Sequence, residues 1–327
     1  MPAVRIIGLA QYLPRNKVWS SDLDTKLGLP KGSVQQKSGL ASRHFASKEE
    51  TTSYMAAQAA LQAIKNADLT LHDIDLIISA CGVPEQLLPC TAVMVQKQLG
   101  LEQSGVACFD INSTCLSFLT ALDTVSYLIT ANRYKRALIV SSDIPSLGLN
   151  WQDMETCTIF GDGAAACVIE ASEDSSRIIA SHMTTYSMGA DFCRVEAGGT
   201  KVPPAHPFDR HLGLFHMEGK KVFKLASQLV IDLQEQLFTK AKITMNDIDW
   251  VIPHQASLLA MHHLRKRLEI PEEHLVDIYK THGNQMSASM PSALAHYVHA
   301  KKIQRGQLLY LIGTGAGISA AGMILEY

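Results

Sequence analysis

A cysteine lies at the junction of two apolar segments with different periodicities. The segment VACFDI (106–111) has the composition of a buried strand, and LSFLTALDTVSYLI (116–129) has that of an apolar helix, so Cys115 stands directly before the helix. A thiol attacks substrates as its thiolate, and the N-terminal end of a helix or a nearby histidine lowers the pKa of a cysteine. The sequence therefore predicts a nucleophile at Cys115, with a buried structural thiol as the alternative.

Two more polar residues stand where site residues are expected in an α/β protein. His254 follows the strand-like part of WVIPHQAS, and Asn284 precedes a helix-like segment rich in small residues. Ligands gather at the strand ends of open α/β sheets, and an amide can donate to a carbonyl on which negative charge develops. The plainer alternatives are a capping or surface role for His254 and a turn with a helix N-cap for Asn284.

The glycine run IGTGAG (312–317) is interpreted as a backbone that passes close to a ligand. It lacks the Lys-Ser/Thr of a P-loop and does not fit G-x-G-x-x-G, so a nucleotide site is not favoured. Closely spaced glycines can instead present N–H groups to a developing oxyanion. Asp162, in FGDGAAA, is interpreted as a turn residue. The spacing of His206, His211 and His216 does not predict a metal site.

Alternating strands and helices provide the scaffold for these residues. Strands are predicted at VRIIGLA, DLIISACG, VACFDI and RALIVSSD, and helices at 51–67, TAVMVQKQLG and 115–131. This βαβα order predicts an α/β fold with buried, largely parallel sheets.

The chain also repeats itself over about half its length. DIDLIIS recurs as DIDWVIP, RALIVSSD is matched by QLLYLIGT, and GDGAAACVIE is matched by GAGISAAGMILE. A repeat this long predicts two similar α/β halves rather than a solenoid, with boundaries near 1–170 and 171–327. The segment 188–216 is rich in Gly, Pro and His and lacks periodicity, so it is expected to be a long loop that lines a site.

Composition excludes several classes of protein. The chain has 327 residues, 47% of them hydrophobic, and a formal net charge of −2, which argues against nucleic-acid binding through bulk electrostatics. We expect no signal peptide and no membrane span, because the apolar runs are short. The seven cysteines are scattered without a C-x-x-C pair, which favours a cytoplasmic protein with reduced thiols.

The order and spacing of these segments resemble those of the ketoacyl-[acyl-carrier-protein] synthase III family of the thiolase superfamily. FDINSTCLSF is similar to the family's nucleophile segment, VIPHQAS to its histidine segment, THGNQMSASMPSAL to its asparagine segment and FGDGAAA to its glycine turn. The resemblance covers nearly the whole chain. It implies the duplicated thiolase-like α/β fold, layered α-β-α-β-α, a homodimer, and a catalytic triad of Cys115, His254 and Asn284.

The resemblance also implies a condensing mechanism. Cys115 takes an acyl group from a coenzyme A or carrier-protein thioester, the backbone N–H groups of Cys115 and Gly317 form the oxyanion hole, and Leu88 and Phe118 belong to the acyl pocket. The histidine and asparagine of the triad bind a malonyl thioester, which loses CO2 and attacks the acyl-enzyme to give a 3-oxoacyl product. No metal or further cofactor is implied. The product belongs to fatty acid biosynthesis or to a polyketide-like specialised pathway.

Several positions depart from the family pattern, mostly where the donor binds. Cys-Leu-Ser-Phe replaces Cys-Ala-Gly-Phe after the nucleophile, Ser33 replaces the tryptophan of the coenzyme A clamp, and Met154 lies near the place of an arginine. Leu259 replaces the arginine of the carrier-protein segment. Contacts to coenzyme A or to a carrier protein are expected from the basic residues Lys37, Lys224, Lys266 and Arg267. These departures predict an acyl group longer than acetyl.

Other interpretations remain open at this stage. An acyl-enzyme can pass its acyl group to an amine or alcohol, and a non-catalytic relative can act as a binding partner. Head-to-head condensation of two acyl-CoAs is a further alternative, but Leu88 stands where the olefin-pathway branch has a glutamate base. Lys37 or Arg43 can also rebuild the coenzyme A clamp from nearby positions.

Overall fold

The computed structural model describes residues 2–327, which form two β-sheets and two short two-stranded ribbons surrounded by helices. The helices are α1 (Ser20–Lys26), α2 (Ser33–Ser38), α3 (Thr52–Asn66), α4 (Thr91–Gln98), α5 (Ser117–Thr130), α6 (Gly219–Ala241), α7 (Leu258–Arg267), α8 (Tyr279–His282) and α9 (Ser289–His299). The strands are β1 (Val4–Tyr12), β2 (Asn16–Trp19), β3 (Ser42–Phe45), β4 (Leu76–Ser79), β5 (Ala107–Asp110), β6 (Arg136–Asp143), β7 (Gly163–Ala171), β8 (Arg177–Thr185), β9 (Cys193–Arg194), β10 (His216–Met217), β11 (Trp250–Pro253), β12 (Leu308–Gly315) and β13 (Ser319–Glu326).

Both large sheets contain parallel and antiparallel strands. The first has the order β1-β7-β6-β4-β5 and the second the order β11-β12-β13-β8. Strand β4 runs parallel to β5 and β6, and β11 runs parallel to β12, whereas β7 and β13 are antiparallel to both of their neighbours. The prediction of largely parallel sheets was therefore wrong. No α-helix crosses over between β6 and β7 or between β12 and β13 in residues 2–327, so the second strand of each pair returns antiparallel.

Three apolar clusters pack five layers of secondary structure against one another. One cluster joins α3 and α4 to the outer face of the first sheet, and another joins α6 to the outer face of the second sheet. The largest lies between the two sheets and includes the apolar sides of α5 and α9. The predicted α-β-α-β-α layering is thus confirmed, and α5, the helix after Cys115, is one of its central elements.

The internal repeat of the sequence corresponds to a repeat of structure. Strands β1, β7, β6 and β4 of the first sheet match β8, β13, β12 and β11 of the second. The turn before each repeated strand is held in the same way, since Thr70 and Thr244 both donate their backbone N–H to the carboxylate three residues later, at 2.9 and 2.7 Å. The boundary between residues 170 and 171 stays a prediction and falls within the last residues of β7.

Small residues allow α3 to pack closely on the first sheet. Its buried side consists largely of alanines, and a side chain at Gly8 of β1 would collide with the backbone carbonyl of Ala63. This close packing holds the sheet that carries the turn after β5. Residues 188–216 contain only short strands and 3-10 turns, as predicted for a long irregular segment. Within residues 2–327, no helix is long and apolar enough to cross a membrane.

Candidate active site

The predicted nucleophile lies in a tight turn between β5 and α5. Cys115 is in a 3-10 turn, Thr114–Leu116, and the α-helix begins at Ser117, two residues later than predicted. Thr114 has φ +54°, a left-handed conformation that is unfavourable for a β-branched residue. The turn is held by Asn112, whose side-chain oxygen accepts from the Thr114 N–H at 2.8 Å. It is also held by Ser117, whose hydroxyl accepts from the Ser113 N–H at 2.9 Å.

The surroundings of Cys115 stabilise a thiol rather than a thiolate. Burial, with smaller contributions from the nearby Asp143 and Cys193, raises the pKa of the Cys115 thiol to about 12. The backbone N–H groups of Ala316 and of Cys115 itself act in the opposite direction and lower the pKa. The expectation of a thiol with a lowered pKa is therefore wrong, because desolvation outweighs the favourable N–H groups.

The glycines of β12 allow two parts of the site to approach each other. A Cβ on Gly313 would lie 2.9 Å from His254 Cβ and 3.1 Å from Leu116 Cδ2, and one on Gly315 would lie 2.7 Å from Thr114 Oγ1. Such distances are too short for any side chain larger than hydrogen. The glycine run thus brings His254 and the nucleophile turn against the same face of one strand end.

A backbone N–H group of Ala316 acts on the Cys115 thiol. This group lowers the pKa of the thiol, together with the N–H of Cys115 itself. The oxyanion-hole N–H that the resemblance implies is one residue later, at Gly317, which has φ +138°, and its role stays a prediction. Because Ala316 and Gly317 are neighbours, the pattern of glycines alone does not identify which N–H points inward.

His254 lies at the end of β11 and is buried. Its backbone N–H donates to the Ile312 carbonyl at 2.9 Å, which fixes it beside β12. Burial lowers the pKa of the imidazole to about 4, so the ring is neutral at neutral pH. Its Nδ1 atom is buried without a hydrogen-bond partner in residues 2–327. A buried nitrogen of this kind is uncommon and marks a polar group available to a substrate or to water.

Asn284 lies beside His254 and is held at both ends of its side chain. Its Nδ2 donates to the Ala256 carbonyl at 3.2 Å, two residues after His254, and its Oδ1 accepts from the Met286 N–H at 2.9 Å. These bonds fix which end of the amide is the donor. One of the two N–H groups on Nδ2 remains for a further acceptor.

The two predicted residues of the acyl pocket have opposite environments. Phe118 is fully buried in α5, within the cluster between the sheets. Leu88 precedes Pro89 in an irregular segment, and its side chain is 84% exposed. Within a single copy of the chain, the Leu88 side chain therefore faces mainly solvent, and its place in the acyl pocket stays a prediction.

The residues expected at the coenzyme A end have different environments. Met154 packs on a cluster of Leu149, Cys157 and Phe160, and Lys37 is exposed on α2. Arg43 is completely buried and donates to the Thr158 carbonyl and, at 2.7 Å, to the Ser20 hydroxyl. Arg43 is thus part of the protein interior, so the idea that it rebuilds the clamp was wrong.

The remaining basic positions lie on the packed pair of helices α6 and α7. Lys224, Lys266 and Arg267 are exposed, and the pair is joined by a 2.6 Å hydrogen bond between Ser227 and His263. Leu259, near the start of α7, is 70% exposed. The basic side chains are therefore accessible to a partner, with an apolar residue where the family has an arginine.

Sequence reasoning missed two residues with strong ties to this site. Asp143, at the end of β6, is 1% exposed and accepts hydrogen bonds from Gly82, Val83 and Ser287. The second residue is Cys193, whose thiol raises the pKa of Cys115. The only sequence signal for Asp143 was a carboxylate closing the apolar strand RALIVSSD. No group of three or more candidate metal ligands occurs in residues 2–327.

Comparison with known proteins finds one family of synthases, with relatives that align over nearly the whole chain. Residues 109–187 match the family described as 3-oxoacyl-[acyl-carrier-protein] synthase III, and residues 238–327 match the model of its C-terminal part. A beta-ketoacyl-[acyl-carrier-protein] synthase III from Chelativorans sp. (strain BNC1) is 37% identical over 98% of both chains.

Solved structures of synthases from the same family have the same fold as this chain. The 3-oxoacyl-[acyl-carrier-protein] synthase III from Aquifex aeolicus VF5 has a TM-score of 0.90 and 31% identity, covering 99% of this chain and 100% of its own. A structure of OleA from Xanthomonas campestris has a TM-score of 0.88 over 99% of this chain and 98% of its own, at 20% identity, which establishes a shared fold alone.

Proposed function

Since the chain belongs to the 3-oxoacyl-[acyl-carrier-protein] synthase III family of condensing enzymes, we propose that it forms a 3-oxoacyl thioester through an acyl-enzyme at Cys115. The protein is an acyl-transferring enzyme of the thiolase fold. The observation that supports this site most strongly is the convergence of the Cys115 turn and His254 on Gly313 and Gly315.

In the first step, the Cys115 sulfur attacks the carbonyl carbon of an acyl thioester. The tetrahedral oxyanion accepts hydrogen bonds from backbone N–H groups at the site, and those of Cys115 and Ala316 are the candidates. The new bond joins the acyl carbon to Cys115, the donor's carbon–sulfur bond breaks, and the thiol proton ends on the departing thiol. Because the resting thiol has a raised pKa, its proton leaves only as the bond to carbon forms.

In the second step, His254 and Asn284 hold the carbonyl of a malonyl thioester. The carbon–carbon bond to the malonyl carboxylate breaks, CO2 leaves, and the electron pair passes to an enolate stabilised by neutral N–H donors. Neutral donors suffice because decarboxylation makes a base unnecessary. The enolate carbon attacks the acyl group, Cys115 leaves as thiolate and takes a proton from solvent. The lowered pKa of His254 supports this assignment, because the ring is neutral.

The donor is proposed to be a carrier-protein thioester or an acyl-CoA longer than acetyl. Ser33 and Met154 offer neither an aromatic ring nor a charge to the nucleotide end of coenzyme A, and Lys37 remains as an exposed cation. Lys224, Lys266 and Arg267 offer charge to an acidic carrier protein. The relatives' names include an acyl carrier protein, which supports this choice. The free cysteines of residues 2–327 support a role in the cytoplasm.

A homodimer is proposed on the exposed edge of the first sheet. Strand β5 pairs only with β4, and Leu87 and Leu88 nearby are 61% and 84% exposed. Association along β5 and α4 would cover this edge and bring Leu88 to the acyl pocket of the other copy. Sedimentation should show a dimer at micromolar concentration, and a monomer there would argue against it.

The proposal is tested by product analysis. Purified protein is incubated with an acyl donor from a panel of acyl-CoAs and acyl carrier proteins, together with a malonyl carrier protein. The expected products are CO2 and a 3-oxoacyl thioester in equal amounts. Transfer of the acyl group to an added amine or alcohol, without CO2, would instead support the acyltransferase alternative.

A further inference from the structure

A buried carboxylate connects the two turns that carry the proposed catalytic residues. Asp143 Oδ1 accepts from the backbone N–H groups of Gly82 at 2.9 Å and Val83 at 3.1 Å. Its Oδ2 accepts from the Ser287 N–H at 3.0 Å and from the Ser287 hydroxyl. All of these partners donate to Asp143, so the arrangement suits an ionised carboxylate rather than an acid or amide.

On one side, the bonds continue to the nucleophile. The Gly82 carbonyl accepts from Asn112 Nδ2 at 3.1 Å, and Asn112 Oδ1 in turn accepts from the N–H of Thr114, the residue before Cys115. The neighbouring Cys81 carbonyl accepts from the Ser117 hydroxyl at 3.2 Å. The turn 81–83 therefore fixes the nucleophile turn at both of its ends, and Asp143 fixes the turn 81–83.

On the other side, the bonds continue to the asparagine. Ser287 follows Met286, whose N–H donates to Asn284 Oδ1. By holding Ser287, the carboxylate of Asp143 holds the turn that sets the orientation of the Asn284 amide. A side chain at Gly82 would lie 2.8 Å from the Met286 methyl group and 3.4 Å from the Asp143 carboxylate oxygens, so the two turns also touch directly.

We propose that Asp143 is a positioning residue that, as a buried anion, orders the Cys115 turn and the Asn284 turn together. The proposal rests on the proposed function for its kinetic consequences, but its effect on the thiol is independent of any substrate. Asp143 itself touches neither the reacting atoms nor, in the proposed mechanism, the substrate.

The Asp143 carboxylate affects the ionisation of three other side chains. Asp143 raises the pKa of the Cys81 and Cys115 thiols and of the Asp162 carboxyl, and Cys193 also raises the pKa of Cys115. Burial raises the pKa of Asp143 to about 6, and the bonds from Ser287, Val83 and Gly82 work against that shift. At pH 7.5 and above the carboxylate is therefore predominantly ionised.

Asp162 provides a matched control. It is as deeply buried as Asp143, its pKa is likewise raised by burial to about 6, and it accepts from Ala46 at 2.7 Å and from Ser146. Its carboxylate accepts from Ala46 and Ser146 and from neither catalytic turn, whereas its backbone carbonyl, which Asp162→Asn leaves in place, accepts from Gln285 Nε2 at 3.1 Å. The variants to compare are Asp143→Asn and Asp162→Asn, each studied at a temperature at which its melting curve shows a folded protein.

The first measurement is alkylation of Cys115 by iodoacetamide at pH values from 7.5 to 10, followed by peptide mass analysis. Asp143→Asn removes a negative charge that disfavours the thiolate and disturbs the turn that holds Cys115, so the alkylation rate at fixed pH should rise by about threefold or more. Asp162→Asn should leave the rate unchanged. An equal rate in wild type and Asp143→Asn would overturn the proposed coupling between Asp143 and the Cys115 turn.

The second measurement separates the half-reactions. In Asp143→Asn, both self-acylation and malonyl decarboxylation should fall about tenfold or more, because lost hydrogen bonds to a charged group disturb both turns. The Asp162→Asn variant should retain both rates. A folded Asp143→Asn protein with both rates at the wild-type level would overturn the positioning role. If wild type itself forms no acyl-enzyme, the proposed function fails, while the alkylation result still decides the coupling between Asp143 and the Cys115 turn.

Discussion

The interior of the site and its outer rim differ in how firmly their residues are held. In the interior, His254 and Asn284 are buried, and Asn284 is hydrogen-bonded at both ends of its amide. At the rim, Lys37, Lys266 and Leu259 are exposed to solvent. Changing an interior residue disturbs several bonds at once, whereas a rim residue can change at little cost in stability. We therefore expect the departures from the family pattern at Ser33, Met154 and Leu259 to affect which substrate is bound more than which reaction occurs.

The largest expected effect is the low reactivity of the resting nucleophile. The pKa of Cys115 is raised to about 12, so its thiolate fraction at pH 7 should be more than about 100-fold below that of a free cysteine. Because the thiolate fraction rises until the pH exceeds the pKa, the rate of alkylation by iodoacetamide should keep increasing beyond pH 9. A plateau of the alkylation rate below pH 8 would show that Cys115 is already a thiolate. It would contradict the view that the interior of the site protects the thiol while the rim is open to solvent.

The second largest effect concerns the proposed acceptor residues. His254→Ala and Asn284→Ala should lower malonyl decarboxylation by about 100-fold or more, the effect of losing a donor to a developing oxyanion. Self-acylation of Cys115 should be reduced much less, because the backbone N–H groups near the sulfur remain. Rates of CO2 release and of adduct formation are compared for each variant. Equal losses in both steps would contradict the division of roles inside the site.

A smaller effect is expected at the coenzyme A end of the rim. Restoring the family's residues in the double variant Ser33→Trp/Met154→Arg should raise kcat/KM for acetyl-CoA by about tenfold, because an aromatic stack and a charged contact each contribute roughly 1 kcal/mol. The single variant Ser33→Ala is the control and should change little. An unchanged kcat/KM in the double variant would show that other residues bind the nucleotide end.

The smallest effect is expected on the basic face of α6 and α7. Leu259→Arg should improve kcat/KM for an acyl carrier protein by a few-fold at low salt and less at high salt, because exposed charge contacts are weak and screened. Charge reversal at Lys266 by Lys266→Glu is the matched opposite and should reduce it. A gain that is independent of salt would indicate that packing rather than charge decides docking at this position.

The fold was largely predictable because the repeated segments carry their own local signals. The helix predicted at 51–67 is Thr52–Asn66, and the strand RALIVSSD is β6 residue for residue. The direction of the strands was not predictable from the same pattern, since a buried apolar strand looks alike in parallel and antiparallel pairing. Burial on both faces, rather than parallel pairing, explains why β7 and β13 are almost continuously apolar.

The site was predictable in part. The positions of Cys115, His254 and Asn284 follow from motif order, but the raised pKa of Cys115 depends on burial and on Asp143, which is 28 positions away along the chain and becomes a neighbour only through folding. The network from Asn112 through Gly82 and Asp143 to Ser287 likewise joins segments far apart in sequence. No local sequence pattern predicts contacts between such distant segments.

The most direct test of the account is the mass of the protein after exposure to an acyl donor alone, followed by exposure to a malonyl carrier protein. Wild type should gain one acyl group on Cys115, and the adduct should disappear when the malonyl substrate is added, with release of a 3-oxoacyl thioester. Cys115→Ala should show neither change. An adduct that persists in Cys115→Ala, or one on wild type that the malonyl substrate does not remove, would contradict the account.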